Sequence, residues 1–107
     1  MEQDNELIGV EINLSPGTID ESYLTAMGAQ IEILLQSMFG GGPIGASITG
    51  TNSQINAFAR ALGNEKRYLE TFTKYGLTSP ATLRNRHKLE QSVAKFELET
   101  GIKWPFK

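Results

Sequence analysis

A chain of 107 residues with 12 acidic and 10 basic side chains is of single-domain size and too evenly charged for a polyelectrolyte. It has no cysteine, which excludes disulfides, thiolate nucleophiles and cysteine metal sites and suits a reducing, cytoplasmic setting. The acidic start lacks the basic-then-apolar order of a secretory signal, and no apolar run nears the ~20 residues of a membrane span.

Taken in chain order, residues 1–6 are acidic and polar and are expected to be disordered. Residues 7–14 alternate: Ile8, Val10, Ile12 and Leu14 share one face, and Gly9, Glu11 and Asn13 share the other. A period of two with β-branched residues predicts a strand buried on one side. Pro16 and Gly17 end it.

Thr18 and Glu21 have the spacing of a capping box, so a helix is expected over residues 18–38. Its apolar stripe is Ile19, Tyr23, Met27, Ile31, Leu34, Leu35 and Met38, widened by Leu24 and Ile33. Such a stripe serves more often as core than as a ligand pocket. Gly40, Gly41, Gly42 and Pro43 stop the helix. Residues 44–49 form the second strand, with Ile44, Ala46 and Ile48 on one face. Strand, helix and strand in that order predict a right-handed crossover and parallel strands.

Thr51 and Gln54 make another capping box. The helix that follows carries Ile55, Phe58, Ala59, Leu62, Leu69 and Phe72, in a phase that survives Gly63-Asn64. One helix ending at Gly76 is expected. Ser79 then caps a last helix with Pro80 at its first position, running to Thr100 and closed by Gly101. Its broad apolar face is Leu83, Leu89, Val93, Ala94, Phe96 and Leu98. The final residues 102–107 are too apolar for a loose tail, so Trp104 and Phe106 should dock on the domain. The predicted fold is one α+β domain over residues 1–107, in the order β-α-β-α-α, with a two-stranded sheet on three helices and a C-terminal helical hairpin.

Residues 1–50 hold seven acidic residues and no basic one, so all basic charge falls in the second half. Arg60, Arg67 and Lys74 recur every seven residues, and Arg84, Lys88, Gln91 and Lys95 follow at four, three and four. Each set aligns on one helix face. Two such stripes on a hairpin can follow a phosphate backbone. The commoner outcome is a solvated helix face, sustained by pairs such as Glu70–Lys74. The overall acidity also weighs against nucleic acid as a partner.

Gly50, Thr51, Asn52 and Ser53 stand between strand and helix, where free amides can hold an anion. They lack the spacing and lysine of a phosphate-binding loop, so capping is the preferred role. Gly42-Pro43-Ile44-Gly45 matches a GxxG pattern, but it leads from helix into strand rather than between helices.

Catalytic candidates are absent. His87 is the single histidine and is expected at the surface, and Glu97 and Glu99 fall on different helix faces; one histidine without cysteine argues against zinc, an all-oxygen magnesium site stays open, and no metal or cofactor is expected. Two strands make a poor independent sheet, and their edges invite another chain. The expectation is a non-enzymatic, cytoplasmic, self-associating module, a homodimer or other homo-oligomer that also offers a surface to protein partners, with no membrane contact. Tyr23, Leu24, Ile33 and Met38 are its expected helix-side contacts. The alternative is a nucleic-acid-binding accessory protein using the basic stripes.

Overall fold

The computed structural model describes residues 9–42 and 44–106. The expected disorder of residues 1–6, the first strand's Leu7 and Ile8, and Pro43's part in stopping the helix and in the GxxG pattern lie outside them. The element order is β1 (Gly9–Asn13), α1 (Glu21–Gln36), β2 (Gly45–Thr49), α2 (Asn52–Tyr75) and α3 (Pro80–Thr100). The strands pair in parallel as the crossover predicts, with Val10 beside Ala46 and Ile12 beside Ile48.

Alternation sets the sheet's two faces. Val10, Ile12 and Leu14 are buried beneath α1, while Gly9, Glu11 and Asn13 face out. At Gly50 an added Cβ would come within 2.9 Å of Gln54 Oε1 and 3.1 Å of Leu14 Cβ. A larger residue here would have to push aside the Gln54 side chain that closes the cap of α2.

The first helix departs from expectation at both ends. Its N-cap is Asp20, not Thr18: Asp20 Oδ1 accepts from Tyr23 N at 2.8 Å. A carboxylate meets the positive helix end better than a hydroxyl does. Ile19 therefore precedes the helix and is exposed rather than part of the core stripe. At the other end, α1 stops at Gln36 and a wider turn follows over Ser37–Gly41, kinked where Phe39 and Gly40 leave helical φ/ψ. Gly40 and Gly42 both take φ 99°, a backbone state that suits glycine. The widened turn leaves Met38 and Phe39 facing outward.

α2 is one helix through Gly63-Asn64, opened by the Thr51–Gln54 capping box and closed where Gly76 N donates to Phe72 O. Its buried side is Ala57, Phe58, Ala61 and Glu65, whereas Ala59 and Phe72 are exposed. Ile55, Leu62 and Leu69 are half-buried against the core, so the predicted face is kept in part, with the small Ala57 and Ala61 added to it. α3 has Ser79 as N-cap and Gly101 as left-handed C-cap, as expected. Leu89, Val93 and Phe96 point inward with Thr82 and Ser92, while Leu83, Ala94 and Leu98 do not. Leu98 is 81% exposed. Ser92 satisfies its hydroxyl by donating to Leu89 O at 2.9 Å, so its burial leaves no open donor.

The tail closes the core. Ile102 and Trp104 are buried, and the Trp104 ring meets Phe96 edge-on at 5.2 Å between centroids. Phe106 is less covered and lies against Trp104 at 6.1 Å. Among the described residues, no helix is long and apolar enough to cross a membrane.

Candidate functional site

Two surfaces carry unspent chemistry. The first is a groove of about 810 Å³ between α2 and α3. Arg60 and Arg67 line it from α2, two turns apart, and Lys88 and Lys95 line it from α3, again two turns apart. The antiparallel hairpin thus brings halves of both predicted stripes onto one trough.

Asn64 ties the walls together. Its Nδ2 donates to Lys88 O at 3.4 Å, and its Oδ1 accepts from Arg67 Nη1 at 3.1 Å. Among the described residues, Lys95 pairs with Glu99 at 3.4 Å, while Arg60, Arg67 and Lys88 have no carboxylate partner. Asn56, Gln91 and Ser53 add neutral polar groups. Such a trough can hold an extended anion, with guanidinium and ammonium groups on both sides.

The remaining stripe members stand elsewhere. α3 begins only at Pro80, so Lys74 overruns it. Its Nζ sits 5.3 Å from the Tyr75 ring. Arg84 is exposed but does not line the groove, and the expected Glu70–Lys74 pair is replaced by Lys66–Glu70 at 2.6 Å. His87 is exposed, and Arg86 pairs with Glu90 at 3.4 Å.

At the candidate anion loop, Thr51 N donates to Gln54 Oε1 and Gln54 N to Thr51 Oγ1. Both amides serve the cap, leaving Gly50, Thr51, Asn52 and Ser53 as a helix start, with Ser53 alone reaching the groove.

The second surface is the sheet. On its inward face Val10 and Ile12 are 2% and 3% exposed, but their partners differ: Ala46 is exposed and Ile48 half-buried. The helix layer lies over β1 and stops short of β2. Of the four expected contacts on α1, Tyr23 and Leu24 are half-buried against the protein's own core. The Tyr23 hydroxyl donates to Asn13 O, and burial raises its pKa. Ile33 and Met38 face outward, joined by Phe39 and Ile19.

No protein-family model, no curated protein and no solved structure matches this chain.

One functional-looking residue escaped the sequence reading. Glu65 is buried on α2, where desolvation raises its pKa and a hydrogen bond from Trp104 lowers it in part. It lines an apolar cleft of about 560 Å³ with Phe39, Tyr68, Phe72 and Phe106. Its spacing was the available signal: Glu65 falls seven residues after Phe58 and seven before Phe72, within the apolar phase.

Proposed function

We propose that the protein is a small non-enzymatic assembly module that works as a symmetric homodimer. The observation that carries this reading is the unequal cover of one apolar sheet face. Val10 and Ile12 are sealed by α1, while beside them Ala46 is exposed and Ile48 is only half-buried. Apolar surface of this kind favours burial at ~25 cal/mol per Å². A second copy supplies the same surface in return and closes both at once. The uncharged outward residues Ile19, Ile33, Met38 and Phe39 add to what a partner can cover. The cysteine-free composition suits a cytoplasmic setting. Equilibrium sedimentation tests the reading: a dimer that dissociates on dilution is expected, and a monomer at every concentration overturns it.

A second reading rests on a separate observation. The groove between α2 and α3 gathers Arg60, Arg67, Lys88 and Lys95, so a nucleic-acid phosphate backbone is the ligand its chemistry fits. Titration with single- and double-stranded oligonucleotides at low salt tests it, and the absence of binding to any of them removes it.

A further inference from the structure

We infer that two copies join through the outer edge of β2, antiparallel about a twofold axis at Ser47, into a continuous four-stranded sheet. This inference rests on the self-association reading and names its edge and register.

Backbone direction selects the edge. Leu14 N donates to Thr49 O at 2.7 Å, so the Thr49 carbonyl points toward β1. Successive residues of a strand turn their amide and carbonyl to alternate sides. Gly45 and Ser47 therefore also bond toward β1, and Ala46 and Ile48 turn their N–H and C=O to the open edge. Among the described residues, no strand meets that edge.

The outer edge of β1 is a worse template. The same alternation turns Gly9, Glu11 and Asn13 outward there. The Asn13 carbonyl already accepts from the Tyr23 hydroxyl. A twofold pairing centred on that strand would set Glu11 against the partner's Glu11, and like charges directly opposite repel. β2, with the sequence Gly-Ala-Ser-Ile-Thr, has no charge. It also lacks the lysine or proline that commonly protects an edge.

Register follows from symmetry. Ala46 exchanges both backbone hydrogen bonds with the partner's Ile48, and Ile48 does so with the partner's Ala46. Ser47 then faces the partner's Ser47 as a non-hydrogen-bonded pair, ~4.5 Å apart at Cα. The apolar side chains of Ala46 and Ile48 meet their counterparts on the half-covered face, and the hydroxyls of Ser47 meet on the polar face. One operation satisfies the edge and covers the open apolar patch.

The experiment uses the full chain and two independent edge variants. Ala46→Pro removes an outward N–H and leaves pairing toward β1 in place. Ser47→Asp sets two carboxylates face to face across the twofold axis. Each is expected to weaken dimerisation about tenfold or more in equilibrium sedimentation while keeping the wild-type far-UV spectrum. Mixing Ser47→Asp with Ser47→Lys should restore a dimer, which only this register explains. Amide exchange at Ala46 and Ile48 should slow as wild-type concentration rises. If Ala46→Pro fails to fold, Ser47→Asp and its mixture with Ser47→Lys decide. A dimer that persists undiminished in folded Ser47→Asp overturns the β2 pairing and leaves self-association standing. A wild-type protein that is always a monomer overturns both.

Discussion

Trp104 Nε1 donates to Glu65 Oε1 across 2.8 Å and so fastens the end of the chain to the middle of α2. Glu97 holds the same residue from α3, its Oε2 accepting from Trp104 N at 2.9 Å. Two carboxylates from the two hairpin helices thus grip one tryptophan, whose ring lies on Phe58 and Phe96. The tail is part of the core, and removing it should be felt throughout the domain. Truncation after Gly101 or Trp104→Ala should each destabilise by on the order of 3 kcal/mol, the scale of deleting a large buried aromatic. Denaturant unfolding measures this. Native fluorescence should be blue-shifted and should move red on unfolding; solvent-like emission before unfolding would contradict the docking.

The same pair predicts a pH dependence. Burial holds the Glu65 carboxyl above its ordinary value of 4.5, partly offset by the indole hydrogen bond. The folded protein therefore binds this proton more tightly than the unfolded chain. That contribution to stability is fully present below 4.5 and is lost as pH rises through the raised folded value. Glu65→Gln keeps an acceptor for the indole and removes the charge. The variant should melt above wild type at neutral pH, with the gap narrowing on acidification. A gap independent of pH would show that Glu65 titrates as if exposed.

Strand cover predicts unequal sensitivity at two paired isoleucines. Ile12 and Ile48 are register partners, but Ile12 is 3% exposed and Ile48 is half-buried. A carboxylate at position 12 has no partner and no water, so Ile12→Asp should unfold the domain. Ile48→Asp should leave a folded monomer with a lowered Tm, because loss of the pairing across β2 lets its carboxylate reach solvent. Equal losses in thermal melts would show that Ile48 is as deeply buried within one chain as Ile12.

In the groove, the arrangement separates members of the basic stripes that the sequence treats alike. Reversing Arg60, Arg67, Lys88 and Lys95 to Glu should abolish oligonucleotide binding. Reversing Lys74 and Arg84, which stand outside the groove, should leave it nearly unchanged. Removing one groove cation should reduce the salt slope of log K by roughly 0.7–0.9 if that cation meets one phosphate. Equal effects from both sets would assign any binding to net charge rather than to the groove.

Sequence by itself determined what local chemistry decides. The order of elements follows from the period-two and helical patterns, and the caps at Thr51, Ser79, Gly76 and Gly101 follow from residues that satisfy terminal backbone groups within a turn. The parallel pairing of the strands was legible too, because a helical crossover between them permits it and fixes its hand. Trp104 was placed inside because an apolar end with nothing to dock on would stay in water.

Tertiary structure decided which side of each element faces what. Helical spacing aligned Arg60 with Lys74 and Arg84 with Lys95, but only the antiparallel contact of α2 with α3 chose Arg60, Arg67, Lys88 and Lys95 as facing groups. Periodicity assigned Ala59, Phe72, Leu83 and Leu98 to a core along with Phe58, Leu89, Val93 and Phe96, but the packed structure leaves the first four exposed and buries Glu65, Thr82 and Ser92. Alternation gave Ala46 and Val10 the same inward face and could not tell them apart. Burial depends on where the neighbouring layer ends, and α1 lies over Val10 and leaves Ala46 uncovered.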